Sequence, residues 1–141
     1  MGDANDGHPK NKRPVGERLV RWALADVYGY KIVKSGPVYA SFKPRGKEFI
    51  VTFKDVGGGL KSLDDKDLKW FAVAGTDRVW HWANAKIAGK NTVAVWSAEV
   101  AAPVAVRYAW VGNPAGANLT NDSGLPASPF RTDDWPEEKS P

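Results

Sequence analysis

The feature that most constrains this chain is a change of period at Gly29. Before it, apolar residues recur at helical spacing; after it they alternate, in short runs separated by turn residues. Val38-Tyr39-Ala40-Ser41-Phe42 and Phe49-Ile50-Val51-Thr52-Phe53 read as strands joined through Pro44-Arg45-Gly46-Lys47. Further strands are predicted over residues 70–74, 80–87, 92–96 and 104–110, with turns at Gly75-Thr76-Asp77 and Gly89-Lys90-Asn91. Val56-Gly57-Gly58-Gly59-Leu60 interrupts the pattern, and a polar loop is expected up to Lys69. From residue 111 to 141 the chain is rich in Gly, Pro, Asn and Ser, and Pro126, Pro129 and Pro136 predict an irregular closing segment rather than another strand. Strands this short cannot cover their apolar faces alone. The expected fold is therefore mainly β: an antiparallel β-sandwich, jelly-roll-like, with one N-terminal helix.

That helix is predicted over residues 15–28, with Val15, Leu19, Trp22, Ala23 and Val27 on one face. Asn11 suits the N-cap, Pro14 is tolerated in the first turn, and Gly29 is placed to end it. A helix this short is marginal in water, so its apolar stripe needs a partner. The expectation is docking on the sandwich through Leu19, Trp22 and Ala23.

A chain of 141 residues suits one main core. It has no cysteine, which excludes disulfides and thiolate chemistry and leaves the redox compartment unread. No apolar run reaches the ~20 residues that a membrane helix needs, so no membrane partner is expected. The N-terminal ten residues are polar and carry no signal-peptide stretch. The net charge is +4, but the only local excess is Lys10, Lys12, Arg13, Arg18 and Arg21 against Glu17. Nucleic-acid affinity grows with the phosphates that a basic face neutralises, and dispersed charge does not build one. No nucleic-acid partner is expected. The Gly57-Gly58-Gly59 run lacks the Lys-Ser or Lys-Thr of a phosphate loop and reads as a turn or bulge.

Seven tryptophans call for an explanation in packing or in ligand stacking. Strand alternation puts Trp80, Trp82, Asn84 and Lys86 on one face, and His81, Ala83, Ala85 and Ile87 on the other. If the small apolar residues face the core, two indoles stand on a polar face beside an amide and an ammonium. Sugar rings present apolar C–H faces ringed by hydroxyls, and such a surface suits them. The competing expectation is that both indoles cover the helix or the closing segment. Arg107 lies between Ala105 and Ala109 on one strand face; it is either a surface residue or a partner of Asp133 or Asp134.

Two stretches carry a family resemblance. Asp6-Gly7-His8-Pro9, with Asn11-Lys12, Val15-Gly16 and Arg18-Leu19, resembles the last catalytic block of the sialate O-acetylesterase-like carbohydrate esterases, which are SGNH-type hydrolases. The run from Pro103 to Trp110, with Asn118-Leu119 and the run from Gly124 to Thr132, is similar to the C-terminal end of the same family; Val56-Gly57-Gly58-Gly59 is a third, weaker match. The resemblance implies that residues 1–30 are the end of a catalytic domain, a histidine loop plus helix, and that 31–141 are a β-sandwich domain. It implies that His8 is the general base for a serine nucleophile, with Asp6 or Asp3 fixing the imidazole tautomer. The family's serine, next to Gln and Asn, and its oxyanion donors lie in upstream blocks that this sequence does not contain. Family members are often secreted or periplasmic. No cofactor or metal is implied. The expected partners are an acetylated glycan or polysaccharide and an upstream catalytic domain or another subunit.

Two other functions fit the composition. One is a carbohydrate-binding module without chemistry. The other is a small glycosidase working with two carboxylates about 5–9.5 Å apart. Asp55, Asp64, Asp65, Asp67, Asp77 and Glu99 offer candidates for it, but no spacing singles out a pair.

Overall fold

The computed structural model describes residues 12–136. Helix α1 spans Arg13–Asp26, with Lys12 at the N-cap, no side-chain cap, and Pro14 in the first turn. Asn11 lies outside the described residues. Past the C-cap Val27, Gly29 takes φ +73°, and Tyr30 N–H donates to Leu24 O at 2.9 Å, which ends the helix.

The strands are β1 (Val38–Arg45), β2 (Glu48–Lys54), β3 (Leu60–Ser62), β4 (Phe71–Ala74), β5 (Trp80–Gly89), β6 (Thr92–Trp96), β7 (Ala105–Tyr108), β8 (Leu119–Asn121) and β9 (Phe130–Arg131). Seven form one antiparallel sheet in the order β1-β2-β6-β5-β4-β7-β9, and β3 pairs with β8. Pro44 is tolerated inside β1 because β1 has a ladder partner on one side only. The ends of the sheet order meet. Tyr39 of β1 stacks on Phe130 of β9 with centroids 4.7 Å apart, and Ser128 N–H donates to Pro37 O at 3.0 Å. The fold is mainly β, as expected, with a sheet curled almost into a barrel.

The closing segment departs from expectation. It is not wholly irregular: β8 and β9 lie inside it, and β3 lies inside the stretch expected to be a polar loop. These runs are two or three residues long, too short for alternation to register as a pattern. The segment is stitched to the entry of β1. Asn121 Nδ2 donates to Ser35 O at 3.0 Å, and Gly36 lies so close that a Cβ there would sit 1.9 Å from Pro126 O. The glycine run forms a turn at Gly57-Gly58, covered by the Asp122 carboxylate.

Paired residues share a face, so the register sorts the side chains. Ala83, Phe71, Tyr108 and Phe130 form one inner row; His81, Val73 and Val106 form the next. Phe49, Val51, Phe53, Val93, Val95, Leu60 and Leu119 complete the core. Each such aliphatic or aromatic side chain contributes roughly 1.5–3 kcal/mol on burial. The outer rows are Trp82, Ala72, Arg107 and Arg131, and Trp80, Ala74 and Ala105.

The helix does not dock as expected. No residue of α1 is buried, and Leu19 and Trp22 are 67 % and 47 % exposed. Polar contacts with the connector hold it instead. Arg21 Nη1 donates to Val33 O at 3.0 Å, and Lys34 pairs with Asp26 and lies 4.6 Å from the Trp22 ring centroid. A cleft of about 280 Å³, lined by Ala25, Ile32, Lys34 and Asp55 among others, separates helix from sandwich. Trp22→Ala should therefore shift stability by no more than about 0.5–1 kcal/mol, because the change is at a surface and alanine is the better helix former. Urea unfolding of the variant checks this; a loss of about 3 kcal/mol would mean that Trp22 is a core residue.

Candidate functional site

The outer face of β5, β4 and β7 carries the tryptophans. Ala72 and Ala74 give β4 a low floor, and the residues on either side rise above it. Trp82 stands on β5, 50 % exposed. Trp70 precedes β4 with φ +66°, a backbone region that a bulky residue adopts only when its surroundings impose it. Those surroundings are visible. Ala109 N–H donates to Trp70 O at 2.9 Å, and Ala109 is itself left-handed at φ +50°, so both residues turn where the β4–β7 ladder ends. The Trp70 indole N–H donates to Ala115 O at 2.8 Å. The Trp70 and Trp82 rings meet edge to face, with centroids 5.5 Å apart and planes at 82°.

Two hollows adjoin this corner. An open groove of about 460 Å³ is lined by Lys69, Trp70, Phe71, Trp82, Ala83 and Ala115. Over Ala72 lies a narrow slot of about 20 Å³ walled by Trp70, Trp80, Trp82 and Trp110, with Arg107 at one side. A slot of that size holds about one water.

The four residues predicted to bind sugar divide. All lie on the outer face, and Ala83, Ala85 and Ile87 face the core as alternation predicts. Trp82, Asn84 and Lys86 are exposed. Trp80 is engaged within the protein: the Arg107 guanidinium lies 4.0 Å from its ring centroid, and Trp135 of the closing segment packs 5.5 Å away. The covering expectation therefore holds for Trp80, and the exposed-platform expectation for Trp82. Arg107 is no surface residue. Its Nε and Nη2 donate to the two carboxylate oxygens of Asp133 at 2.9 and 2.6 Å, with side chains 7 % and 0 % exposed. Burial of Asp133 opposes ionisation, but the Arg107 hydrogen bonds and charge, aided by Arg131, outweigh it and hold the carboxyl below its ordinary value.

Trp70, Lys69, Trp110 and Trp135 are site residues that sequence reasoning did not single out. For Trp70 a signal existed: counting back from core Phe71 puts it on the Trp82 face. For Trp135 none did, because it lies in a segment without period.

His8, Asp6 and Asp3 lie outside the described residues. His81 is paired to Glu99 at the core-side end of its row. Asn118 first, then Ser62 and backbone N–H groups, hold Asp64 down to about 2, outweighing the desolvation that opposes them. Asp64 and Asp133 are thus kept as carboxylates, the opposite of what a glycosidase acid requires. Among the described residues, no three His, Cys, Asp or Glu side chains gather as a metal site would need.

The fold and face define a tryptophan-faced, nearly closed β-sandwich preceded by an undocked helix. A crystal structure of a carbohydrate acetylesterase from Xanthomonas citri matches it with a TM-score of 0.91 and 44 % identity over 96 % of this chain. The chain is thus related to a carbohydrate esterase and spans 31 % of that protein's length. No protein-family model matches the chain, and no curated protein matches it.

Proposed function

We propose that this chain is the C-terminal part of a carbohydrate O-acetylesterase of the SGNH, sialate O-acetylesterase-like type, its sandwich serving a catalytic domain and holding glycan. The observation that supports this most is the match, helix included, to the Xanthomonas citri esterase over 96 % of the chain. In this reading His8 takes the proton of a serine hydroxyl as the serine oxygen attacks the acetyl carbonyl. Asp6 or Asp3 orients the imidazole and stabilises its charged form. His8 then returns the proton to the departing sugar oxygen, and water releases acetate from the serine by the same route. The serine and the oxyanion donors come from outside this sequence, and donors of that kind supply a large share of acyl-transfer catalysis. Helix α1 belongs to the end of the catalytic domain, and its exposed stripe, Val15, Leu19 and Trp22, packs against the rest of that domain. Trp82, Asn84 and Lys86 meet the glycan, with Trp80 as the packed base beneath Arg107.

The expected result for the purified chain, assayed on chromogenic acetyl esters and acetylated oligosaccharides, is negligible turnover. Robust acetate release that is abolished by His8→Ala and by a serine-directed inhibitor would overturn the division of labour.

A further inference from the structure

The glycan-binding reading leaves open which sugars the sandwich takes, and the corner between Trp70 and Trp82 bears on that. It is an open groove with two rings set at a steep angle to each other. Two indoles at 82° form a wall and a step, so a pyranose stacked on one ring presses an edge against the other. The groove beside them, about 460 Å³, lies within the range of small-ligand sites. The step is fixed in place. The Trp70 indole N–H is bonded to Ala115 O, and its backbone is held left-handed by the end of the β4–β7 ladder. An aromatic group that needs no ordering on binding loses less entropy when a ligand arrives. Lys69 stands on the groove wall with three donor hydrogens for hydroxyl groups.

Charge then narrows the class. The two cations that line these hollows already face carboxylates. Lys69 Nζ lies 3.8 Å from Asp64 Oδ2, and that carboxylate is held ionised; Arg107 is bonded twice to Asp133. An anionic sugar in this corner would gain little from Arg107, which Asp133 already engages, and would meet the Asp64 carboxylate beside Lys69. Resting on the glycan-binding reading, we infer that the Trp70–Trp82 corner, with Lys69, is a subsite for a neutral pyranose and disfavours uronic and sialic acids.

The test is NMR titration of the tryptophan indole N–H groups of the chain with a neutral oligosaccharide (cellopentaose or xylopentaose) and with oligogalacturonate. The neutral oligomers are expected to shift the Trp70 and Trp82 signals, with little response to oligogalacturonate and little dependence on salt. Trp82→Ala should weaken neutral binding about tenfold, the scale of one lost aromatic contact. Trp70→Phe and Lys69→Met, which leave the core intact, should each weaken it by a smaller factor. Tighter, salt-sensitive binding of oligogalacturonate overturns the inference. Neutral binding that responds to Trp82→Ala and Asn84→Ala but not to Trp70→Phe or Lys69→Met overturns the subsite and leaves the glycan-binding reading standing. Indole signals unmoved by any of these sugars would sink both.

Discussion

Asp133→Ala is expected to destabilise the protein by about 3–5 kcal/mol at neutral pH, the cost of leaving a buried charge without its partner. The stranded group is the Arg107 guanidinium, 7 % exposed and stacked against Trp80. The pair itself is a different quantity from the loss of one member. Replacing both members with apolar residues, Arg107→Met with Asp133→Leu, should recover most of the loss, because desolvation of two ions offsets much of their attraction. Urea unfolding of Arg107→Met, Asp133→Leu and the double variant closes the cycle. The pH dependence has a definite sign. Asp133 is held below its ordinary value, so its contribution is present above the unfolded carboxyl value of about 3.9 and is lost as pH falls through the lower, folded value. The stability gap between wild type and Asp133→Ala should therefore be full at pH 5 and above, and narrow below about pH 4. A gap that instead widens on acidification would contradict the ionised pair.

Phe130→Ala is expected to cost a similar amount, about 3–5 kcal/mol, by cavity formation. Its ring, 7 % exposed, contacts Tyr39, Phe53, Phe71 and Tyr108, with centroids between 4.7 and 6.5 Å. Tyr39 is the contact across which β1 and β9 meet, so the substitution removes core volume and weakens the seam together. Differential scanning calorimetry should show the melting temperature lowered by roughly 10 °C or more. Phe130→Leu keeps apolar volume and should lose about half as much or less. Equal losses in both variants would show that ring stacking, rather than cavity volume, sets the cost.

These two residues mark where the sequence was hard to read. Alternation located β1, β2, β4, β5, β6 and β7 to within a few residues, because strands of four residues or more carry a period. Phe130 and Asp133 both lie in a segment whose composition reads as loop; Asp133 was legible as one of two acids able to pair with Arg107, but the place of Phe130 in the core is set by distant pairing with β7. No local pattern encodes that. The tryptophan face was half legible: alternation assigned the side of the sheet, but whether an indole on that side is free depends on what crosses it. Trp135 covers Trp80, and nothing in the sequence around residue 80 announces it. The helix failed for a related reason. Its stripe was legible, but amphipathicity only states that a partner is needed. No residue of α1 is buried and its contacts with the connector are polar, so this sandwich does not cover the stripe.

The stitch between the entry of β1 and the closing segment also has a temporal meaning. Asn121 and Ser35 are 86 residues apart, and the Gly36–Pro126 approach and the Tyr39–Phe130 stack join equally remote stretches. Contacts this distant in sequence form slowly, because the intervening chain must be confined before they contribute. During synthesis the hairpin of β1 and β2 emerges well before the closing segment, and Tyr39 and Phe53 lack their Phe130 partner until the ribosome has delivered it. Over that interval the nascent chain therefore displays Tyr39, Phe49 and Phe53 to its surroundings, a natural substrate for a chaperone that binds aromatic segments.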